Sequence, residues 1–383
     1  MLSSSWIELD QAALTKNIRY LKKRIGTAVF LSVIKGNAYG HGIEQFIPMA
    51  ESAGIGHFGV YDAQEAYRAL QVKAENTHIV IMGMLDEDQM DWVIQSDVAF
   101  VVFTLDRLKA AIAEAKKQKK KALIHLEPET GMYRTGIEEC EIPEAMDLIK
   151  KNGRYLKLEG FCTHYAGAES IANYLRTQNQ YQLFERLKKD FRRKGITPQY
   201  YHSACSAAAL IYPYTIMDMV RFGIAQYGYW PSMEVKMNNL LSEQAKFTRD
   251  PLKAVLSWKS RIMSIKSVPK GNFVNYGTTY LSTKNMCLAT IPIGYHQGYS
   301  KSLSNSGYVL IKGRKAEVVG SINMNMFMVD VSNIPGAKAG DEVVLIGKQG
   351  DLNITVSSFA ELTKMVNYEL LARLPYQIPR TKV

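Results

Sequence analysis

Eight short apolar runs, most followed by a longer amphipathic stretch, constrain this chain more than any other feature. The runs are Val29–Lys35, His57–Val60, His78–Met82, Val98–Val102, Ala122–Glu127, Leu158–His164, Tyr200–Ala204 and Met219–Ile224. Helix-patterned segments lie between most of them, among them Ala63–Leu70, Leu105–Lys120, Ile142–Lys151 and Tyr174–Lys194. Strand-length apolar runs alternating with helical pattern predict parallel strands joined by crossover helices. Eight such units predict the α/β class and a (β/α)8 TIM barrel. After about residue 240 the pattern changes. Short segments rich in β-branched and aromatic residues take over: Ala254–Ser267, Met286–Ile293, Tyr308–Ile311, Lys315–Gly320, Met326–Val331 and Glu342–Ile346, with one helix-like stretch at Val356–Met365. Gly and Pro punctuate them. The reading is a barrel over 1–240 and a second, mostly β domain over 241–383, with the boundary in the polar stretch Lys236–Pro251. A length of 383 residues suits two domains, or one large barrel plus a smaller domain.

Other classes are excluded on simple grounds. No apolar run reaches the ~18 residues of a membrane span, and Met1 to Trp6 lack the basic and apolar regions of a signal peptide. The expectation is a cytoplasmic protein that engages no membrane. Cys140, Cys162, Cys205 and Cys287 are widely spaced and form no CxxC pair, so free thiols and no metal are expected. The net charge of +11 raises a nucleic-acid reading. Much of it lies in helix-like runs such as Lys116 to Lys121 and Arg186 to Lys194, with no interleaved aromatics. Solvated helix faces explain those runs better, and no nucleic-acid partner is expected.

Lys35 closes the first apolar run and is followed by Gly36-Asn37-Ala38-Tyr39-Gly40-His41-Gly42. A lysine at the C-terminal end of a barrel strand points into the mouth where barrel sites lie. Partly desolvated there, its pKa falls and it can form a Schiff base with an aldehyde cofactor. By position alone, a surface lysine ending a strand is an equal reading.

The stretch Val33 to Gly42 resembles the lysine motif of bacterial alanine racemases, departing only at Gly36, where that family usually has alanine. The resemblance extends over nearly the whole chain and implies pyridoxal 5'-phosphate as cofactor. It implies that Lys35 and Tyr276 are the two catalytic bases, one for each face of the substrate α-carbon. A free tyrosine has a pKa near 10, so it needs help to act as a base at neutral pH. The resemblance supplies that help as a hydrogen-bond chain of Tyr276, His164 and Arg221, with His202 further out. The segment Thr130 to Gly136 resembles the one whose arginine, here Arg134, binds the substrate carboxylate. Ser206, Gly223 and Ile224 align with phosphate-binding positions, and Arg221 with the arginine facing the pyridine nitrogen. An arginine there cannot accept the nitrogen's proton, whereas most enzymes using this cofactor place a carboxylate there. Tyr39, Tyr295 and Tyr368 align with residues near the cofactor and the entrance, and Met324 with a substrate-carboxylate position. The resemblance also implies a head-to-tail homodimer with shared active sites, the second domain of one subunit bringing Tyr276 to the barrel of the other.

Three departures bear on this reading. Glu127 stands where many alanine racemases have a carbamylated lysine, and is expected to supply the anion itself by pairing with Arg134. Asn323-Met324-Asn325 replaces Cys-Met-Asp, so Asn325 removes a negative charge near the entrance. His296-Gln297-Gly298 replaces Ala-Asp-Gly. The leading expectation is alanine racemisation that supplies D-alanine to peptidoglycan. A racemase for serine or another amino acid is the near alternative. A non-catalytic carrier of the same cofactor stands further off, because such carriers lack the second β domain; a decarboxylase of related fold lacks its cysteine pattern around Cys287.

Overall fold

A computed structural model describes residues 3–241 and 250–383. Residues 242–249, within the expected boundary stretch Lys236–Pro251, lie outside the described residues. The chain divides into two compact units. One comprises Ala12–Gly36 and Phe46–Lys253; the other comprises Met1–Gln11, Asn37–Gln45 and Ala254–Val383.

Strand β1 (Ser5–Leu9) belongs to the second unit. The first unit is built on β2 (Val29–Val33), β3 (His57–Val60), β4 (His78–Ile81), β5 (Ala99–Val102), β6 (Ala122–Leu126), β7 (Leu156–Cys162), β8 (Tyr200–His202) and β9 (Met219–Phe222). These eight strands pair in parallel in chain order, with β9 returning to β2. A bridge between Cys205 and Arg221 joins the two remaining edges and closes the barrel. The interior is filled by Leu31, Val80, Ala99, Val101, Cys162 and Met219, which makes it a packed core rather than a pore. Cys162 is one of its packing residues.

The helices follow from local chemistry. Asp62 caps the helix Ala63–Leu70 by accepting from the Glu65 N–H, and Ala63, Ala66 and Ala69 bury one narrow stripe. Pro143 opens the helix Ile142–Lys151, where its missing N–H costs nothing. In the helix Leu105–Gln118 the buried residues include Leu108, Ala111, Ile112 and Ala115, which leaves Lys116 and Lys117 in solvent.

The second unit is a ten-stranded sheet. It adds β10 (Leu256–Arg261), β11 (Ser264–Val268), β12 (Met286–Ile291), β13 (Tyr308–Ile311), β14 (Arg314–Val319), β15 (Phe327–Asp330), β16 (Glu342–Gln349), β17 (Leu352–Ile354) and β18 (Arg380–Lys382). The single segment expected over Ala254–Ser267 is two strands, because the chain breaks at Ile262 and Met263. Strand β1 lies between β10 and β18 in this sheet. The unit's core includes Trp258, Tyr299 and Phe327, the last two stacked at 4.4 Å. Among the described residues no helix is long and apolar enough to cross a membrane.

Candidate active site

Lys35 does not end a strand. Strand β2 stops at Val33, and Gly36, Asn37, Ala38, Tyr39 and Gly40 follow with φ of 63, 55, 54, 50 and 76°. This is a left-handed turn five residues long. Alanine and tyrosine each cost about 1 kcal/mol there, and glycine and asparagine much less. Neighbours within the second unit hold the turn. Buried His41 donates from Nδ1 to the Ala38 and Tyr39 carbonyls, and burial pushes its pKa down to about 3, so it stays neutral. Arg380 donates twice to the Gly40 carbonyl, at 3.1 and 2.9 Å. A Cβ at Gly40 would stand 2.0 Å from the Leu371 carbonyl oxygen, so only glycine fits. Tyr39 lies beside Tyr368, with ring centroids 6.1 Å apart.

In the barrel unit, Lys35 Nζ has no hydrogen-bond or ion-pair partner among the described residues. Desolvation holds its pKa below the usual lysine value, and the charges of Arg134 and Arg221 push the same way against Glu65. An unpaired amine biased toward its neutral form is a nucleophile for an aldehyde.

Behind it runs a buried polar chain. Arg221 Nη2 lies 3.3 Å from His164 Nδ1, and Nη1 lies 2.7 Å from His202 Nδ1. The same two nitrogens donate to the carbonyls of Thr163, His202 and Ser203. His202 Nε2 lies 2.8 Å from His125 Nδ1. Arginine is only a donor, which fixes every tautomer. His164 and His202 accept at Nδ1 and carry their protons on Nε2. His202 therefore donates to His125, which carries its proton on Nε2 in turn. Burial, reinforced by Arg221, keeps all three histidines neutral, with His125 pushed down to about 3. Arg221 Nε is the donor with no partner among the described residues.

Two details of the strands make this chain possible. The register of β6 on β7 shifts between Ile124 and His125, a bulge that re-aims the imidazole. On β7, Gly160 leaves the space that the ring fills; a Cβ there would lie 2.1 Å from His125 Nδ1. His125, which is 1% exposed, was not singled out from the sequence. The signal was present: a histidine inside an apolar strand needs a partner.

Arg134 stands exposed on the loop after β6, with no hydrogen-bond or ion-pair partner among the described residues. The carboxylate of Glu129, itself 8% exposed, accepts from the backbone N–H groups of Gly131, Met132 and Tyr133, which fixes the loop. Gln180 ties that loop to the segment after β7 by donating to Thr130 Oγ1 and to the His164 carbonyl. The expected pair between Glu127 and Arg134 does not form, because the loop turns Arg134 outward. Glu127 instead accepts from Thr135 Oγ1 at 3.4 Å. Burial raises its carboxyl, while Arg221 and then Arg134 pull it back through space.

Ser206 is buried at the start of a short helix and accepts from the Gly223 N–H at 3.0 Å. That amide is thus already used. The N–H of Ile224 opens a 3-10 turn and has no partner within it.

The second unit carries Tyr276, Tyr295, His296, Met324 and Asn325, all exposed on it. The Tyr295 N–H donates to the Asn323 carbonyl and the His296 N–H to the Met324 carbonyl. The loop of Tyr295 and His296 is thus laced to the loop of Met324 and Asn325 by backbone bonds, and Tyr276 stands on a third loop.

The chain is similar to known proteins along nearly its whole length. The family profile "Alanine racemase, N-terminal domain" matches residues 9–231, and "Alanine racemase, C-terminal domain" matches residues 255–382. A protein of Leptospira interrogans named alanine racemase is 33% identical, over 99% of this chain and 96% of its own. One of Halothermothrix orenii with that name is 34% identical, over 98% and 96%. The crystal structure of alanine racemase from Bacillus anthracis with bound L-Ala-P superposes with a TM-score of 0.89 at 29% identity, covering 100% of this chain and 96% of that one. The chain belongs to the alanine racemase family.

Proposed function

We propose that the protein interconverts L- and D-alanine with pyridoxal 5'-phosphate, Lys35 and Tyr276 handling the α-proton on opposite faces. The observation that carries this reading is the Lys35 amine, unpaired and biased toward neutrality beside the Arg221–histidine chain. When bound, the cofactor supplies an electron sink that acidifies the substrate α-carbon. Lys35 would hold its aldehyde carbon. The Ser206 hydroxyl and the amides of Gly223 and Ile224 would hold its phosphate, although the Gly223 amide must first leave Ser206. Arg221 Nε, the unused donor, suits a neutral ring nitrogen. It cannot give that nitrogen a full proton, which keeps the sink weak and favours returning the proton over losing the amino group. His164 would carry its proton on Nε2, a position from which a phenolate oxygen such as that of Tyr276 could accept. Tyr39 and Tyr368 would flank the cofactor. Arg134 and the Met324 amide would hold the substrate carboxylate.

The same reading makes the protein a head-to-tail homodimer with shared sites. Tyr276, 74% exposed on its own unit, and Met324, 55% exposed, support it. It places the enzyme in the cytoplasm, consistent with four free cysteines, and gives it the supply of D-alanine for peptidoglycan. Asn325 and His296 favour a tolerance for serine or another polar amino acid as the second reading.

The test is chiral chromatography of cofactor-loaded protein given L-alanine, L-serine, L-lysine and L-glutamate separately. Rapid D-alanine formation, abolished in Tyr276→Phe, is the expected result. Mixing Lys35→Ala with Tyr276→Phe subunits should restore about a quarter of the wild-type rate, since one site of each mixed dimer is intact. No D-product from any substrate would sink the proposal.

A further inference from the structure

Tyr276 is a side chain with little of its own to orient it. Its ring is 74% exposed, and among the described residues it makes no side-chain hydrogen bond or ring contact. Its backbone is fully engaged. The Tyr276 N–H donates to Asn275 Oδ1 at 2.9 Å, and its carbonyl accepts from Ser321 Oγ at 3.1 Å. Where the ring points is therefore set by the loop backbone, and the loop backbone is set by Asn275.

Asn275 uses its side chain at both ends. Oδ1 accepts from Tyr276 and also from Asn323 Nδ2, the latter at 2.9 Å; Nδ2 donates to the Ser321 carbonyl at 2.8 Å. Its backbone, at φ 63° and ψ −160°, lies where glycine is at ease and asparagine is among the few tolerated alternatives. Asn323 reaches in the other direction. Its carbonyl accepts from the Tyr295 N–H and its own N–H donates to the Met326 carbonyl. This close approach needs Gly294, where a Cβ would stand 2.1 Å from the Asn323 carbonyl oxygen.

We infer that Asn275 and Asn323 form a side-chain bridge that positions Tyr276 for proton transfer and locks its loop to the loops of Met324 and Tyr295. The inference rests on the reading of Tyr276 as a catalytic base. An asparagine pair suits this work because each amide offers a donor and an acceptor of fixed geometry. Neither residue touches the reacting atoms, so both are positioning residues.

The experiment uses cofactor-loaded Asn275→Gly, Asn323→Ala and the double variant, with α-deuterated L- and D-alanine. Glycine at 275 tolerates the backbone angle, so this change removes the side chain without adding strain. The expected result is a kcat lowered roughly tenfold, KM changed little, and isotope effects that split. The effect rises for the enantiomer whose proton Tyr276 removes and falls for the other, because only the tyrosine step has slowed. The double variant is expected to be no worse than the poorer single one, since the two residues act as one unit. A variant that merely folded poorly would lose rate with both isotope effects unchanged, and that result overturns the bridge. Tyr276→Phe separates the two ideas. If it keeps the full rate, the tyrosine reading itself fails. If it is inactive while both asparagine variants keep wild-type isotope effects, only the bridge fails.

Discussion

The barrel unit and the β unit hold their candidate bases in opposite ways. In the barrel, Arg221 serves two histidines and three carbonyls in a half-buried frame, and Lys35 is tuned by desolvation first and then by the charges of Arg134 and Arg221. In the β unit, Tyr276 stands in solvent and is aimed by exposed asparagine and serine side chains. One base is set by partial desolvation and by the charges around it. The other is set by geometry that water can compete with. The lysine site should therefore be costly to disturb and sensitive to charge, and the tyrosine loop cheap to disturb and sensitive to shape.

Stability separates the two most sharply. Arg221→Met strips the donor from two buried ring nitrogens and three carbonyls. It is expected to cost about 3–5 kcal/mol of unfolding free energy in urea titration. Asn323→Ala removes exposed bonds and should cost about 1 kcal/mol or less. Equal losses would break the comparison.

Acid should act on the barrel frame next. His125 is neutral in the folded protein down to about pH 3, whereas an unfolded histidine takes up a proton below about 6.5. The folded pKa is depressed, so the stabilisation is complete above about 6.5 and is lost as pH falls from there toward 3. Each such histidine contributes up to about 1.4 kcal/mol per pH unit in that window. His125→Gln should be less stable at neutral pH yet lose less on acidification, which denaturant midpoints at pH 7, 6, 5 and 4 would show. An unchanged acid slope would mean that His125 is not neutral.

The smallest effect sharpens the electrostatic side. Arg134→Gln removes a positive charge that lowers the Lys35 pKa, so that pKa rises and less neutral amine is present at pH 7. Absorbance-monitored condensation of the apo protein with pyridoxal phosphate should slow several-fold at pH 7 and recover as pH rises. A rate unaffected at pH 7 would leave burial and Arg221 as the causes of the depression.

How legible each part was in the sequence follows the same division. Runs with one clear period came through whole: His57–Val60, Tyr308–Ile311, Ala63–Leu70 and Ile142–Lys151 run between the same residues in the structure. Strand ends did not. The apolar run reaches Lys35, but the strand stops at Val33 and a left-handed turn follows from Gly36. Strand β1 was missed because Ser5–Leu9 is half polar and its partner, Leu256–Arg261, is far along the chain. At the site, the motif residues were readable by resemblance. His125 and the Asn275–Asn323 bridge were not, because they matter through contacts made only once the chain has folded. The Glu127–Arg134 pair is what the resemblance implies at that position, and the loop held by Glu129 turns the arginine away.

The grip of Arg380 on Gly40 joins residues 340 positions apart. The left-handed turn beside Lys35 therefore cannot be held in its final form until nearly the whole chain has left the ribosome. At a synthesis rate of ~5–20 residues per second, the barrel strands have tens of seconds to fold before that clamp exists. The turn after Lys35 therefore reaches its final form among the last events of the chain's synthesis, later than any strand of the barrel is made.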